Sequence, residues 1–440
     1  MTLKVDVETV DPVRRRLAVE VPAEEVSIEL EKAYADLGRA AKVPGFRPGR
    51  VPRGVLERMF GDRVRAEVFG KLIQQSYSEA VEGQQLPVVG QPEIVTEQAQ
   101  PGAALRYSAT VEVKPEVVVD NYTGLEVERP LAPITDADVD ASLERLRQSL
   151  AQLHPIADRQ QAQVADVVTL DYEARIDGRL VGRGESRDVE IGLNGFPSEF
   201  DQHLLNARVG DDLDFSANYA ADHPLSDVAG KTVQFRVHVH RLSRKELPTL
   251  DDEFAKDHGE SSTLEELRQR IRAQLEAAAA RRADEAVRGA VLTALSKDHD
   301  IPVPHALIQR RTQALIEDVW HEWQQQRIIP KNESEAIARL REELEPRARE
   351  QVKISLLLEA IAQQEHIDVT DDDIETRITA LASEAGAAGD RMRALYRDTE
   401  ARRQLRARLL QARAIDVVVE RAHVTTVHAA TNVAEPAESR

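Results

Sequence analysis

Apolar and polar residues alternate at Leu3, Val5 and Val7, and again at Leu17, Val19 and Val21, with Asp11-Pro12 between the runs. Period two on both sides of a turn predicts a β-hairpin. Val26, Leu30, Ala33 and Leu37 then recur at helical spacing, as do Val64, Val68 and Leu72 after Gly61-Asp62. Leu105, Tyr107, Ala109, Val111 and Val113 alternate strictly and mark the clearest strand. Thr135-Asp136-Ala137-Asp138 opens a helix running through Val139, Leu143, Leu146 and Leu150.

A second β-rich stretch comes next. Val168, Leu170, Tyr172, Ala174 and Ile176 alternate up to an Asp177-Gly178 turn. Leu213, Phe215, Ala217 and Tyr219 alternate in turn, then Val233, Phe235, Val237 and Val239, with one short helix at Phe200, Leu204 and Leu205. From 246 to about 425 the pattern is helical. Ser262-Thr263-Leu264-Glu265 is read as a capping box, and Pro302, Pro304, Pro330 and Pro346 punctuate the later helices.

Glycine supports this division, with 17 of the 21 before residue 246. Glycine disfavours helix interiors, so the last part is free to be almost wholly helical. The fold class is therefore multidomain α+β. It comprises an N-terminal α+β domain over 1–115, a linker with a helix over 116–154 and a β-rich domain over 155–246. An all-α body occupies 247–428, and then a disordered tail 429–440.

Composition narrows the function. The formal net charge is −19, which disfavours general nucleic-acid binding because phosphate is repelled over most of the surface. There is no cysteine, which excludes disulfides and thiolate chemistry. MTLKVDVETVDPVRRR lacks the apolar stretch of a signal peptide and no run of about 18 apolar residues occurs. A soluble cytoplasmic protein with no membrane partner is expected. No GxxxxGK[ST] phosphate loop is present, so no nucleotide or other cofactor is implied. His238 and His240 share one strand face and could share a metal, but no third ligand is recognisable, and an exposed polar face accounts for them. Trp320 and Trp323, on a long helix, read as interhelical packing.

One stretch opposes the overall charge. KVPGFRPGRVPR, residues 42–53, lies within an interval from Arg39 to Arg58 that holds six basic residues and the single acid Glu57, a local +5. Its glycines and prolines exclude helix, and Pro52 suits a helix start. Phe46 and Arg47 are expected at the tip of a protruding loop. Either the Phe folds back onto the core, or it is an aromatic anchor flanked by arginines for an acidic or phosphate-rich partner.

Gly45-Phe46-Arg47-Pro48-Gly49-Arg50 followed by Pro52 resembles the ribosome-docking signature of the bacterial trigger factor chaperones, GFRxGKxP. Glu246-Leu247-Pro248 with Leu250–Lys256, Ile301-Pro302-Val303-Pro304, Val369-Thr370-Asp371-Asp372 and the Val417–Val424 stretch also recur at family-like positions. The resemblance implies a ribosome-binding domain, an FKBP-like peptidyl-prolyl isomerase domain and a helical chaperone body. It implies docking beside the exit tunnel of the large ribosomal subunit, on ribosomal protein and rRNA. It further implies sheltering of nascent and unfolded polypeptides without ATP, and a homodimer off the ribosome. Residue by residue, Gly45, Phe46, Arg47, Gly49 and Arg50 would make the contact, with Arg50 in place of lysine and Pro48 where many members carry another base. In the middle domain Tyr172, Phe200 and Phe235 match pocket positions. Val181 and Gly182 stand where the family has an aromatic and an acid, and Pro197-Ser198-Glu199-Phe200 replaces Ile-Pro-Gly-Phe. A wetter pocket with Glu199 in its floor, and weak or absent isomerase activity, is therefore expected. A free-standing isomerase is the alternative function.

Overall fold

The computed structural model describes residues 3–428 except 42, 45, 47–50, 193–195, 221–227, 258, 260, 326–329 and 331. The chain is a multidomain α+β protein that divides into two compact units. One is Met1–Pro130 together with Asp284–Val427, and the other is Leu131–Ala283.

The first unit begins with the expected hairpin, β1 (Lys4–Asp11) and β2 (Arg14–Val21), followed by helices α1 (Ala23–Ala40) and α2 (Arg53–Gly83). Strands β3 (Val88–Gln98), β4 (Leu105–Val113) and β5 (Glu126–Pro130) come next. The sheet order β1-β2-β4-β3 places β2 and β4 at its centre, with Val19 opposite both Val5 and Tyr107. Period two then puts Leu17, Val19 and Val21 on the same face as Leu105, Tyr107, Ala109, Val111 and Val113, all buried. The helices cover that face. Leu72 of α2 is fully buried, and Ser76 Oγ lies 2.8 Å from the Tyr107 hydroxyl, so these two buried hydroxyls satisfy one another. Pro52 is the N-cap of α2, and Gly61 and Asp62 lie inside that helix rather than ahead of it. A helix glycine costs only about 1 kcal/mol, which the buried stripe from Leu56 to Ala80 readily outweighs.

The chain then enters the second unit through α3 (Asp136–Ser149), whose Thr135–Asp138 capping box forms as a reciprocal pair. Strands β6 (Gln152–Pro155), β7 (Asp166–Ile176) and β8 (Arg179–Glu190), helix α4 (Ser198–Leu204), and strands β9 (Asp212–Asn218) and β10 (Thr232–Glu246) come after it. They make one antiparallel sheet in which β10 is long enough to pair β7 on one side and both β9 and β6 on the other. Helix α5 (Asp252–Asp257) and the first turns of α6 (Leu264–Asp298) pack on α3 through Val139, Leu143, Phe254, Leu267 and Ile271. The cap of α6 is shifted by one residue from the sequence reading. Thr263 Oγ1 accepts from Glu266 N–H, and Glu266 accepts from Ser262 N–H.

The last part of α6 returns to the first unit, followed by α7 (His305–Gln325), α8 (Glu333–Gln364), α9 (Asp371–Glu384), α10 (Gly389–Leu395), α11 (Thr399–Glu420) and strand β11 (His423–Val427). The sequence reading of an all-helical remainder misses β11, which pairs in parallel with β5. Val119, Leu125 and Val127 share a core with Val287, Val291 and Leu295 of α6, Leu357 and Ile361 of α8, and Ala414 and Val418 of α11. The N-terminal sheet also touches α7. Glu112 of β4 accepts from Ala306 N–H at 2.7 Å in the first helical turn, where a carboxylate is favoured. Gly90, at φ +81°, comes so close that a Cβ there would lie 2.5 Å from Ala306 Cβ. No described helix is long and apolar enough to cross a membrane. The tail, residues 429–440, lies outside the described residues.

Asp373 gives the fold a readable pH dependence. It closes a capping box with Thr370 and accepts from Arg413 Nη2 at 2.5 Å. Arg413 first, then Thr370, lower its pKa from 3.8 to about 2. A carboxyl depressed on folding contributes stability that is present above its unfolded value and lost as pH falls. Wild type should therefore lose stability between about pH 4 and 2 more steeply than Asp373→Asn, measured by urea midpoints across that window. Parallel slopes would show that the carboxylate does not contribute.

Candidate functional site

Two places carry the residues singled out from the sequence. The first is the connection between α1 and α2. Gly45, Arg47, Gly49 and Arg50 lie outside the described residues, while Phe46 is described. Its N–H donates to the Val43 carbonyl at 3.1 Å, forming a turn, and Val43 is buried. Phe46 itself is 41% exposed, so the ring is not folded into the core that takes Val43. Met59, near the start of α2, is exposed too.

The second place is the interior of the second unit, where alternation on three strands aims aromatic side chains at one helix. Tyr172 on β7 and Phe235 on β10 face inward, Phe215 on β9 is directly opposite Phe235, and Phe200 comes from α4. Phe200 and Phe235 are buried, with ring centroids 5.0 Å apart at 76°. The sequence-predicted trio is thus brought together, Tyr172 lying 6.5 Å from Phe235. Sequence reasoning missed Phe196. Its ring stacks on Phe200 at 4.2 Å and 13°, and meets Tyr172 edge-on at 5.6 Å. The available signal was its position four residues before Phe200, ahead of Pro197. His203 stacks on Phe215 at 4.3 Å and closes the far side. Each such pair contributes roughly 0.5–1.5 kcal/mol beyond area burial.

Glu199 departs from its expected place in the floor. It is half-buried, and its carboxylate accepts an exposed contact from the Ser198 hydroxyl at 3.4 Å. The floor is instead Phe200, fully buried and dry. The neighbouring acid Asp201 accepts from Gly192 N–H at 3.2 Å, and its other oxygen is buried with no hydrogen-bond partner among the described residues. Burial pushes its carboxyl up, partly opposed by the Gly192 bond. Asp201 thereby ties α4 to the turn that precedes Phe196.

The missing bulk on β8 also has a local explanation. Gly182 and Gly184 stand opposite Ala174 and Tyr172 on the interior face, and the Tyr172 ring lies over them. A Cβ at Gly184 would fall 2.5 Å from Tyr172 Cε1, whereas one at Gly182 would keep 3.5 Å from Ala174 Cβ. The glycines are therefore the space into which Tyr172 folds.

Other candidates resolve as structure. His238 Nδ1 lies 2.7 Å from Asp212 and His240 Nε2 lies 2.8 Å from Asp171, each ring paired with its own exposed carboxylate. Among the described residues no group of three or more His, Cys, Asp or Glu is placed to hold a metal. Trp320 and Trp323 are half-buried on α7 with rings 5.9 Å apart, and Trp320 lines a cleft of about 310 Å³ with Ile316 and Ile337.

Comparison with known proteins places the chain in a family. Residues 3–146 match the family model described as bacterial trigger factor protein, and residues 263–420 match that of the trigger factor C-terminus. A trigger factor of an Anaeromyxobacter species is 36% identical over 427 residues, covering 96% of this chain and 99% of its own. One from a Geobacter species is 34% identical over 429 residues, covering 97% and 99%. A solved structure, from work on promiscuous substrate recognition in folding and assembly by the trigger factor chaperone, has a TM-score of 0.55. It is 22% identical and covers 95% of this chain and 99% of that one, a likeness of fold.

Gly184→Ala should destabilise the protein by about 1–3 kcal/mol through overpacking against Tyr172. The loss should be accompanied by a changed near-ultraviolet tyrosine signal, while Gly182→Ala stays close to wild type. Equal stabilities for the two variants would remove the steric role assigned to Gly184.

Proposed function

The chain belongs to the bacterial trigger factor family, and from that premise we propose that it is an ATP-independent chaperone. On this reading it docks on the large ribosomal subunit at the nascent-chain exit and shields newly made polypeptides. The observation that carries the docking reading is Phe46, an aromatic ring 41% exposed within a loop stretch read from the sequence as strongly basic. An exposed ring flanked by Arg47 and Arg50 suits a partner that offers an apolar socket beside phosphate or carboxylate. Docking places the chaperone at high effective concentration around each emerging chain, so individually weak apolar contacts suffice to hold it. The excess of acid elsewhere keeps the rest of the molecule off RNA. Pro48 removes one charge from the docking loop and should make the grip weaker and less salt-dependent than in relatives with a base there.

The inserted unit is an FKBP-like domain with weak or absent isomerase activity. Prolyl isomerisation must lower a barrier of ~18–20 kcal/mol by binding the twisted amide in a dry aromatic pocket. The rings needed for such a pocket are present, but Phe196 stacks on Phe200 at 4.2 Å, leaving no room for a proline ring between them. The reason for weak activity is therefore a covered floor and not a wet one. A free-standing isomerase is the competing reading, since a five-ring cluster is what that activity would require.

Two measurements test these readings. Phe46→Ala combined with Arg47→Ala should abolish co-sedimentation with ribosomes, and unchanged binding at physiological salt would overturn the docking reading. In a proline-limited refolding assay, wild type should add little to the spontaneous rate and Phe196→Gly should accelerate it. A fast wild-type rate that Phe235→Ala destroys would favour the isomerase.

A further inference from the structure

Among the described residues no strand pairs the outer edge of β11 in the parallel pair β5–β11, and the direction of that edge is fixed by a single bond. His423 N–H donates to the Leu125 carbonyl at 2.9 Å, so His423, Thr425 and Val427 direct their backbone groups at β5. Backbone groups alternate along a strand, so Val424 and Thr426 direct theirs away. Among the described residues neither makes a backbone hydrogen bond outside the β5 pairing. All five residues of β11 are exposed, Val424 by 40% and Val427 by 39%. The strand holds no Asp, Glu, Lys or Arg in a chain that is 31% charged. Proteins commonly protect open edges with charge, proline or a covering element, and neither of the first two is present here.

The edge is also held rigidly in place. Gly124 N–H donates to the Arg421 carbonyl at 2.8 Å, and the Arg421 guanidinium forks onto Glu365, which also meets the Tyr122 hydroxyl. Beside it, Glu126 and Glu128 on β5 are exposed on the same face as His423 and Thr425. Val127, on the other face with Val424, is buried. A third strand laid on this edge would thus find outward N–H and C=O groups, the acids Glu126 and Glu128 on one face and the exposed Val424 on the other.

We propose that the free edge of β11 binds an extended segment of an unfolded polypeptide by strand addition, favouring segments that alternate basic and aliphatic residues. Main-chain bonds at Val424 and Thr426 supply sequence-tolerant affinity, and the flanking Glu126 and Glu128 set the preference for basic side chains. This deepens the chaperone reading above and rests on it.

The test uses the full-length protein and a blocked octapeptide alternating lysine with valine. At ten times its Kd the peptide should slow amide exchange at Val424 and Thr426 by about tenfold. The same peptide N-methylated at alternate residues should not, because its side chains remain but its edge donors are gone. Thr426→Pro removes an outward N–H that β5 does not use, so it should abolish peptide binding with β5–β11 exchange protection intact. Equal binding of the N-methylated peptide, or unchanged exchange at Val424 and Thr426, would overturn the proposal. So would protection that rises with protein concentration without peptide, which would assign the edge to a second copy. Suppression of aggregation of guanidine-unfolded lysozyme separates the two levels. A wild type that fails to suppress it defeats the chaperone reading, whereas equal suppression by Thr426→Pro defeats strand addition alone.

Discussion

Burial of Val119, Leu125 and Val127 among helices from the far end of the sequence is the constraint on which the first unit depends. Close by in the chain they meet only the half-buried Val117 and Tyr122 among the described residues of this core. Their partners on α6, α8 and α11 arrive only after the whole second unit has been inserted. Closing so long a loop costs little more than closing a shorter one, because the entropy grows only with the logarithm of length. Burying several aliphatic side chains, each contributing roughly 1.5–3 kcal/mol, readily exceeds that difference. The Glu112 carboxylate at the first turn of α7 and the Lys114–Glu359 pair at 2.8 Å then fix the sheet to the returning helices.

This arrangement relates stability to the two kinds of function assigned here. Phe46 can be left in water because Val43, Leu56 and the Tyr107–Ser76 layer hold the domain without it. A ring excluded from its own core is available to a partner's. The inserted unit shows the opposite use of aromatics, with Phe196 stacked onto Phe200 so that the rings stabilise one another. Cohesion and an open pocket compete for the same surfaces, and in this chain cohesion prevails.

Much of the fold was legible in the residues. Strict alternation from Leu105 to Val113 and from Val168 to Ile176 reflects strands with one buried face, and local spacing is enough to reveal it. The start of α2 was legible at Pro52, whereas Gly61-Asp62 reads as a break ahead of Val64 that the buried neighbours override. β11 was illegible for a different reason. Its five residues come directly after a helix, and the strand exists only because β5, distant in sequence, supplies the hydrogen bonds. At the ring cluster, Tyr172, Phe200 and Phe235 could be found from alternation and resemblance. Phe196 offered only its spacing of four from Phe200, and Gly195 and Pro197 around it signal a turn whatever the ring does. Gly182 likewise looked like a lost side chain, and only the register of Gly182 and Gly184 opposite Ala174 and Tyr172 shows both to be space for a ring.

Arg129 and Asp284 stand at the two points where the chain leaves and re-enters the first unit, and their side chains meet at 2.9 Å. Exit and return are therefore neighbours, and whatever lies between them enters and leaves through one narrow gate. An insertion joined in this way can vary in sequence, shrink or be exchanged without altering the frame that receives it. A substitution in the ring cluster is then confined to the insertion, and the frame joined at Arg129 and Asp284 need not answer to it.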